Sequence, residues 1–373
     1  MTRLKHQQSL GSEALRSDAQ RSSRSALHAL TFALAAIFGL AIAFAPEHAA
    51  AAPGSCKLLR IAEWPVKIDH NRVLVQGEIN GQSVPIQLDT GAVRSLILRS
   101  AAARLGLPLK SGDGERMFGI GGETRVEVAF VDELRIGGAV NKGLSILVAG
   151  ERDAFGNIAL LLGADFFDNV DVEFDLPHNA VRLYQSRDCD GARLAYWADR
   201  GAAELPMESV PKIVLQVKIN DEPVRALLDS GAATSVLAAE DARRLGVTPE
   251  SPGVVSGGCS YGIGQKPVDG WIGQFRSFAM DNELIHDPKI NFAELWRHTT
   301  YTATGSHVPR RLAGLPEMLL GVDFLRAHRV LIAHSQRKVY FTYTGGPVFF
   351  TRQGKPCGET SPDLRKGSER AKD

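Results

Sequence analysis

A set of positions recurs in this chain at one fixed offset of 140 residues. Gln76, Ile79, Asn80, Val84, Asp89, Gly91, Ala92, Leu105 and Gly106 return as Gln216, Ile219, Asn220, Val224, Asp229, Gly231, Ala232, Leu245 and Gly246. Two longer motifs follow in the same order. Phe118-Gly119-Ile120-Gly121 returns as Tyr261-Gly262-Ile263-Gly264, and Leu161-Leu162-Gly163-Ala164-Asp165-Phe166 as Leu319-Leu320-Gly321-Val322-Asp323-Phe324. Solenoid units repeat every 20–50 residues or so, and this spacing is far longer. It marks a duplicated domain, and 373 residues accommodate two units at about 150 residues each.

Each unit reads mainly as strands. Val73 to Ile79 and Ile213 to Ile219 alternate and are rich in β-branched residues. Asn80-Gly81 after the first is a two-residue hairpin signal. The return strands run into Asp89-Thr90-Gly91-Ala92 and Asp229-Ser230-Gly231-Ala232. Ser95 to Leu98 and Ser235 to Ala238 read as short extended segments. Ser100 to Leu105 and Ala239 to Leu245 read as short helices stopped by Gly106 and Gly246. Further strands are expected at Val126–Val131, Leu144–Val148, Val170–Phe174, Ala180–Tyr184, Val330–Ala333 and Lys338–Tyr343. The second unit is longer, with 55 positions from Gly264 to Leu319 against 40 from Gly121 to Leu161. The extra segment holds Trp296, His298 and the polar stretch Thr299 to His307. It reads as a surface excursion, with a loop over the site as the alternative. The expected organisation is a first unit at 56–189, a linker at 190–210, a second unit at 211–357 and a polar, disordered tail at 358–373.

Residues 1–51 read as an export signal. Arg3, Lys5, Arg16, Arg21 and Arg24 precede an uncharged run from Ala29 to Ala45, and Ala49-Ala50-Ala51-Ala52 supplies small residues for cleavage. The alternative is an uncleaved membrane anchor. The chain is then periplasmic or secreted, or tethered by this segment. Cys56 lacks the preceding leucine of a lipoprotein signal. Four cysteines, an even number in an exported chain, suggest disulfides with three alternative pairings, free thiols being the alternative. Cys56 and Cys189 bracket the first unit, so a bridge between them would tie its ends, and Cys259 and Cys357 then belong to the second. No C-x-x-C spacing occurs, which argues against zinc. The formal charge is +1 from 43 basic and 42 acidic residues, so no bulk field favours nucleic acid.

One carboxylate is poorly suited to cutting an amide. Two close together can share a proton, one acting as base toward water and the other as acid toward the carbonyl. A chain presenting the same aspartate loop twice carries the material for both halves of such a site. Gly91 and Gly231 allow a sharp backbone turn behind each carboxylate.

On Asp89-Thr90-Gly91-Ala92, Asp229-Ser230-Gly231-Ala232, the two downstream Leu-Leu-Gly motifs and the Gly-rich segments between them, the chain resembles the retropepsin-like aspartic proteases. These are related to the retroviral proteases and more distantly to pepsin. The resemblance covers nearly the whole chain after the leader. It implies an all-β, bilobal pseudo-dimer with short helices and the duplicated acid-protease fold, acting as an aspartic endopeptidase on a polypeptide. Asp89 and Asp229 would share a proton and activate water without a covalent intermediate, metal or cofactor. Thr90 and Ser230 would lock the two loops together. Phe118, Gly119, Ile120, Gly121, Tyr261, Gly262 and Ile263 would form flaps over a peptide with bulky apolar side chains near the cut. A bridge at Cys259 would restrain the second flap. Asp165 and Asp323 read as structural. Pepsin-like enzymes usually carry Ser or Thr where Ala92 and Ala232 stand. Without those hydroxyls the dyad should ionise at higher pH, giving an optimum from weak acid to near neutral. Pairing within one chain is favoured over a homodimer. The competing function is a catalytically silent periplasmic peptide-binding module; a two-carboxylate glycosidase is a weaker third reading.

Overall fold

The computed structural model describes residues 56–150, 156–198, 201–208, 212–302 and 309–358. The export signal and the polar tail beyond Gly358 lie outside the described residues, as do residues 303–308 of the insertion. Strands dominate, interrupted by four short helices, Arg99–Arg104, Ala164–Phe167, Ala239–Arg244 and Val322–Ala327. Among the described residues no helix is long and apolar enough to cross a membrane. The duplicated, mainly β architecture that the resemblance implies is what forms.

In the first unit Arg72–Ile79 pairs with Gln82–Leu88 in register from Leu74↔Gln87 to Ile79↔Gln82. Asn80 and Gly81 take positive φ of 49° and 76°, the backbone a two-residue hairpin requires. The second unit repeats this with Val214–Ile219, Glu222–Leu228 and a turn at Asn220 and Asp221, with φ of 55° and 70°. The returning strands, Gln82–Leu88 and Glu222–Leu228, each lie parallel to a Leu-Leu strand. Leu88 stands opposite Leu162 and Leu228 opposite Leu320. On the other side each Leu-Leu strand pairs antiparallel with the segment after the loop, at Leu96↔Leu161 and Val236↔Leu319. A strand buried between two neighbours must be apolar on both faces, which is why these read as unbroken leucine runs. Leu160, Leu162, Met318 and Leu320 are all essentially buried. The helices begin one residue earlier than the sequence reading at Arg99 and on it at Ala239, and end before Gly106 and Gly246, whose φ values are 65° and 86°.

The two units join in a six-stranded antiparallel sheet. Its order is Lys57–Pro65, Ala180–Arg187, Asp171–Asp175, His328–Ala333, Lys338–Tyr343, Ala203–Pro206, three strands from each half. At its centre Val172, Glu173 and Phe174 face Ile332, Leu331 and Val330. Ala203–Pro206 lies in the stretch that reads as linker, and it caps the second half of the sheet as Lys57–Pro65 caps the first. One hydrophobic core runs through both units, from Val73 and Ile86 to Phe324 and Phe341.

Two disulfides close the ends. Cys56–Cys189 joins the residue before the first edge strand to the second residue after its partner, Ala180–Arg187. Cys259–Cys357 joins the second Gly-rich hairpin to the C-terminal segment.

Candidate active site

The returning strands deliver Asp89 and Asp229 to the same place, and their neighbours Thr90 and Ser230 hold them there. The Thr90 hydroxyl accepts a bond from the Ser230 N–H at 3.0 Å and donates to the Leu228 carbonyl at 2.8 Å. The Ser230 hydroxyl accepts from the Thr90 N–H at 3.0 Å and donates to the Leu88 carbonyl at 2.9 Å. Both side chains are buried. Four buried polar groups of the turns are thereby satisfied, each of which would cost about 1–3 kcal/mol if left alone.

Each carboxyl lies against the opposite loop, and the charge of Asp229 bears directly on Asp89. Asp89 Oδ1 also accepts from the Ala92 N–H at 3.0 Å, and Asp229 Oδ1 from the N–H groups of Gly231 at 2.8 Å and Ala232 at 3.2 Å. A Cβ on Gly91 would overlap the Asp229 carboxylate, and one on Gly231 the Asp89 carboxylate. Glycine is required here because the opposite carboxylate occupies the space, whereas the sequence reading stressed the turn.

The Leu-Leu-Gly motifs support the loops from below. The Asp89 N–H donates to the Leu162 carbonyl at 2.9 Å and the Asp229 N–H to the Leu320 carbonyl at 2.8 Å. Gly163 and Gly321 sit against the backbone of Arg94 and Thr234, at 2.7 Å and 2.6 Å from where a Cβ would stand. Asp165 accepts from the Ser95 N–H and hydroxyl at 2.8 and 2.6 Å, and that hydroxyl accepts from the Gly163 N–H at 2.9 Å. Asp323, Ser235 and Gly321 repeat the arrangement at 2.8, 2.7 and 3.0 Å. Both aspartates therefore brace the backbone under the dyad.

Above the dyad lies a cavity of about 640 Å³. The first flap is the hairpin of strands Leu109–Gly119 and Gly122–Ile136, and the second joins Val255–Ser260 to Val268–Gln274. Phe118, Gly119, Ile120, Tyr261, Gly262 and Ile263 line the cavity. Gly121 does not; its carbonyl accepts from the Lys266 N–H at 2.9 Å, and the Ile120 carbonyl accepts from the Gly264 N–H at 3.0 Å. The flap tips are thus bonded to each other. The insertion is more than a surface excursion: Trp296 and Thr299 line the cavity, and the Thr299 hydroxyl donates to the Gly119 carbonyl at 3.3 Å.

The sequence model of the aspartyl protease family matches residues 75–166 and 215–324, one span in each unit. The chain belongs to this family. No curated protein matches it.

In this aspartyl protease, burial, reinforced by the charge of Asp229, pushes the Asp89 carboxyl up to about 8. Burial also raises Asp229, opposed by the N–H groups of Gly231 and Ala232. Three further residues that hold the two aspartate loops are not marked by the sequence motifs. Ser95 and Ser235 share the offset of 140, and their pairing with Asp165 and Asp323 was readable from the two repeats together. Gln87 had no such signal, since Leu227 occupies its counterpart. Its amide Nε2 donates to the Gly231 carbonyl at 3.1 Å, tying one unit to the aspartate loop of the other.

Proposed function

We propose that the protein is an aspartic endopeptidase whose dyad is Asp89 and Asp229. The observation that carries this reading is the reciprocal Thr90–Ser230 lock, which fixes two adjoining carboxyls on the floor of a covered cleft. Two adjacent carboxyls cannot both ionise freely, so the pair keeps one proton into the neutral range. Burial raises both carboxyls, so the proton is shared by the pair, and the reaction begins from the form that carries it on Asp89.

A peptide lies extended across the dyad. The Asp229 carboxylate takes a proton from water as its oxygen bonds to the scissile carbonyl carbon. Asp89 gives its proton to the carbonyl oxygen, leaving a neutral gem-diol. Asp229 then passes its proton to the amide nitrogen while Asp89 takes back one hydroxyl proton. The C–N bond breaks, releasing a carboxylic acid and an amine, and the dyad again holds one proton. The flap residues Phe118, Ile120, Tyr261 and Ile263 press on the substrate, and tips bonded to each other must part to admit it. The leader and the two disulfides support export to an oxidising compartment. A complete dyad from one chain supports a pseudo-dimer that needs no second copy.

Asp89→Asn and Asp229→Asn, made separately in the mature protein, test this. Each should abolish cleavage of a protein substrate while leaving the fold intact. Undiminished cleavage by either variant would overturn the assignment, and peptide binding without cleavage by the unaltered protein would point to the silent module.

A further inference from the structure

The lining of the cleft is largely apolar and carries an excess of cations. Leu96, Leu161, Leu227 and Leu319 form much of its interior. Apart from the dyad, its charged lining residues are Arg72, Arg94, Arg116, Lys212 and Glu115, four cations against one anion. Arg116 is ion-paired with Glu123. Among the described residues neither Arg94 nor Lys212 forms an ion pair, and Lys212 is half-buried.

Arg72 and Lys212 are 140 residues apart, the offset that relates Asp89 to Asp229. Arg72 opens the strand Arg72–Ile79, and Lys212 leads into its counterpart Val214–Ile219. The approximate two-fold relation that places one aspartate on each side of the scissile bond therefore places one cation on each side too. A bound peptide advances about 3.3 Å per residue, so its flanks reach these positions within a few residues of the cut. A cation in a partly covered cleft favours an anion there and disfavours another cation.

We infer that the substrate carries an apolar pair at the cut and an acidic side chain on each flank, with Arg72 and Lys212 reading opposite flanks. This rests on the cleft being a peptide site, as proposed above. Arg94, with no counterpart at Thr234, makes the side that holds it the more strongly cationic.

The test uses fluorogenic peptides with a neutral, apolar parent sequence and a single Glu, Gln or Lys walked through positions two to four on either side of the cut. At pH 6.5 glutamate is ionised. Glu should raise kcat/KM about three- to fivefold over Gln at one position on each flank, as expected of a partly exposed ion pair. Lys should lower it, and salt should shrink the difference. Lys212→Glu should invert the preference on one flank and Arg72→Glu on the other. The milder Lys212→Gln and Arg72→Gln should erase it on the same flanks. Binding of the same labelled peptides to Asp229→Asn provides a readout that needs no catalysis. Cleavage without a charge preference would overturn this inference and leave proteolysis standing. A charge preference in binding without cleavage would do the reverse, and neither would sink both. Variants that change both flanks alike would remove the assignment of Arg72 and Lys212.

Discussion

Thr90 and Ser230 each bond to the other's backbone N–H and to the carbonyl just ahead of the other's aspartate, at 2.8–3.0 Å. Neither unit can complete its own turn without the other. Thr90→Val keeps the shape but strands the Ser230 N–H and the Leu228 carbonyl in a buried site. The expected loss is roughly 2–5 kcal/mol of stability, with kcat falling at least tenfold because the carboxyls lose their register. Thr90→Ser should recover most of both. Urea unfolding and peptide kinetics on the three proteins check this; a stable, fully active Thr90→Val protein would show the lock to be dispensable.

The pH profile follows from the dyad. The working form holds one proton, so activity should fall as pH rises through about 8, the value to which burial and Asp229 push Asp89. It should also fall on the acid side, where Asp229, itself raised by burial, becomes protonated. Stability has its own sign. Asp89 is raised above its unfolded value of 3.8, so the folded protein binds more protons between that value and about 8, and stability declines as pH rises across this window. Asp89→Asn removes the buried charge. It should raise the melting temperature near pH 8 by a few degrees, about 2–5 °C, while abolishing cleavage. Thermal melts of both proteins at pH 5 and pH 8 measure the difference, and a gain at pH 5 as large as that at pH 8 would contradict the titration.

Ala92 and Ala232 leave the carboxyls served by backbone donors at these positions, with the Ala92 N–H 3.0 Å from Asp89 and the Ala232 N–H 3.2 Å from Asp229. A hydroxyl at each site would favour the ionised pair. Ala92→Ser with Ala232→Ser should therefore move the acid limb of kcat/KM down by about one pH unit. An unchanged profile in a folded, active double variant would mean that burial alone sets the dyad's ionisation.

What was legible in the sequence is what the backbone cannot replace. Gly91 and Gly163 recur because the chain approaches other groups too closely there for a side chain, and Asp89, Ser95 and Asp165 recur with them. The Leu-Leu strands read well because each is apolar on both faces. The edge strands did not. Ala203–Pro206 has one neighbour, Lys338–Tyr343, and too few residues to show alternation. Its place in the interlobe sheet depends on pairings such as Val172↔Ile332, which no local pattern announces. Trp296 and Thr299 belong to the insertion and have no counterpart to mark them. Gln87 differs from its counterpart Leu227, so the asymmetry it introduces is invisible to a search for repeats.

The second flap is held by the C-terminal segment. The Phe350 N–H donates to Asp323 Oδ2 at 3.0 Å, the Gly354 N–H to the Ser256 carbonyl at 3.2 Å and the Cys357 N–H to Asp269 Oδ1 at 2.8 Å. Cys259–Cys357 then seals the strap to the flap. Cys357→Ser should raise amide exchange across 255–274 by about tenfold and leave 109–136 unchanged, since only local opening becomes easier. Exchange rising equally in both flaps would mean that the strap restrains the whole cleft.

Glu173 sits fully buried at the centre of the interlobe sheet and binds cations from both units. Arg182 of the first unit donates to it at 2.6 Å and Arg329 of the second at 2.9 Å. Arg182 also reaches Asp175 at 2.8 Å, but Arg329 has only a 3.9 Å contact there. Glu173→Gln therefore leaves Arg329 as the undercompensated charge, at a cost of about 3 kcal/mol. Replacing both partners, Glu173→Met with Arg329→Leu, should recover much of that loss, because apolar side chains of similar size tolerate the same burial. Because one core runs through both units, urea should unfold each variant in a single transition, and activity should track the folded fraction. A variant in which one unit melts ahead of the other would show that the sheet alone does not couple them.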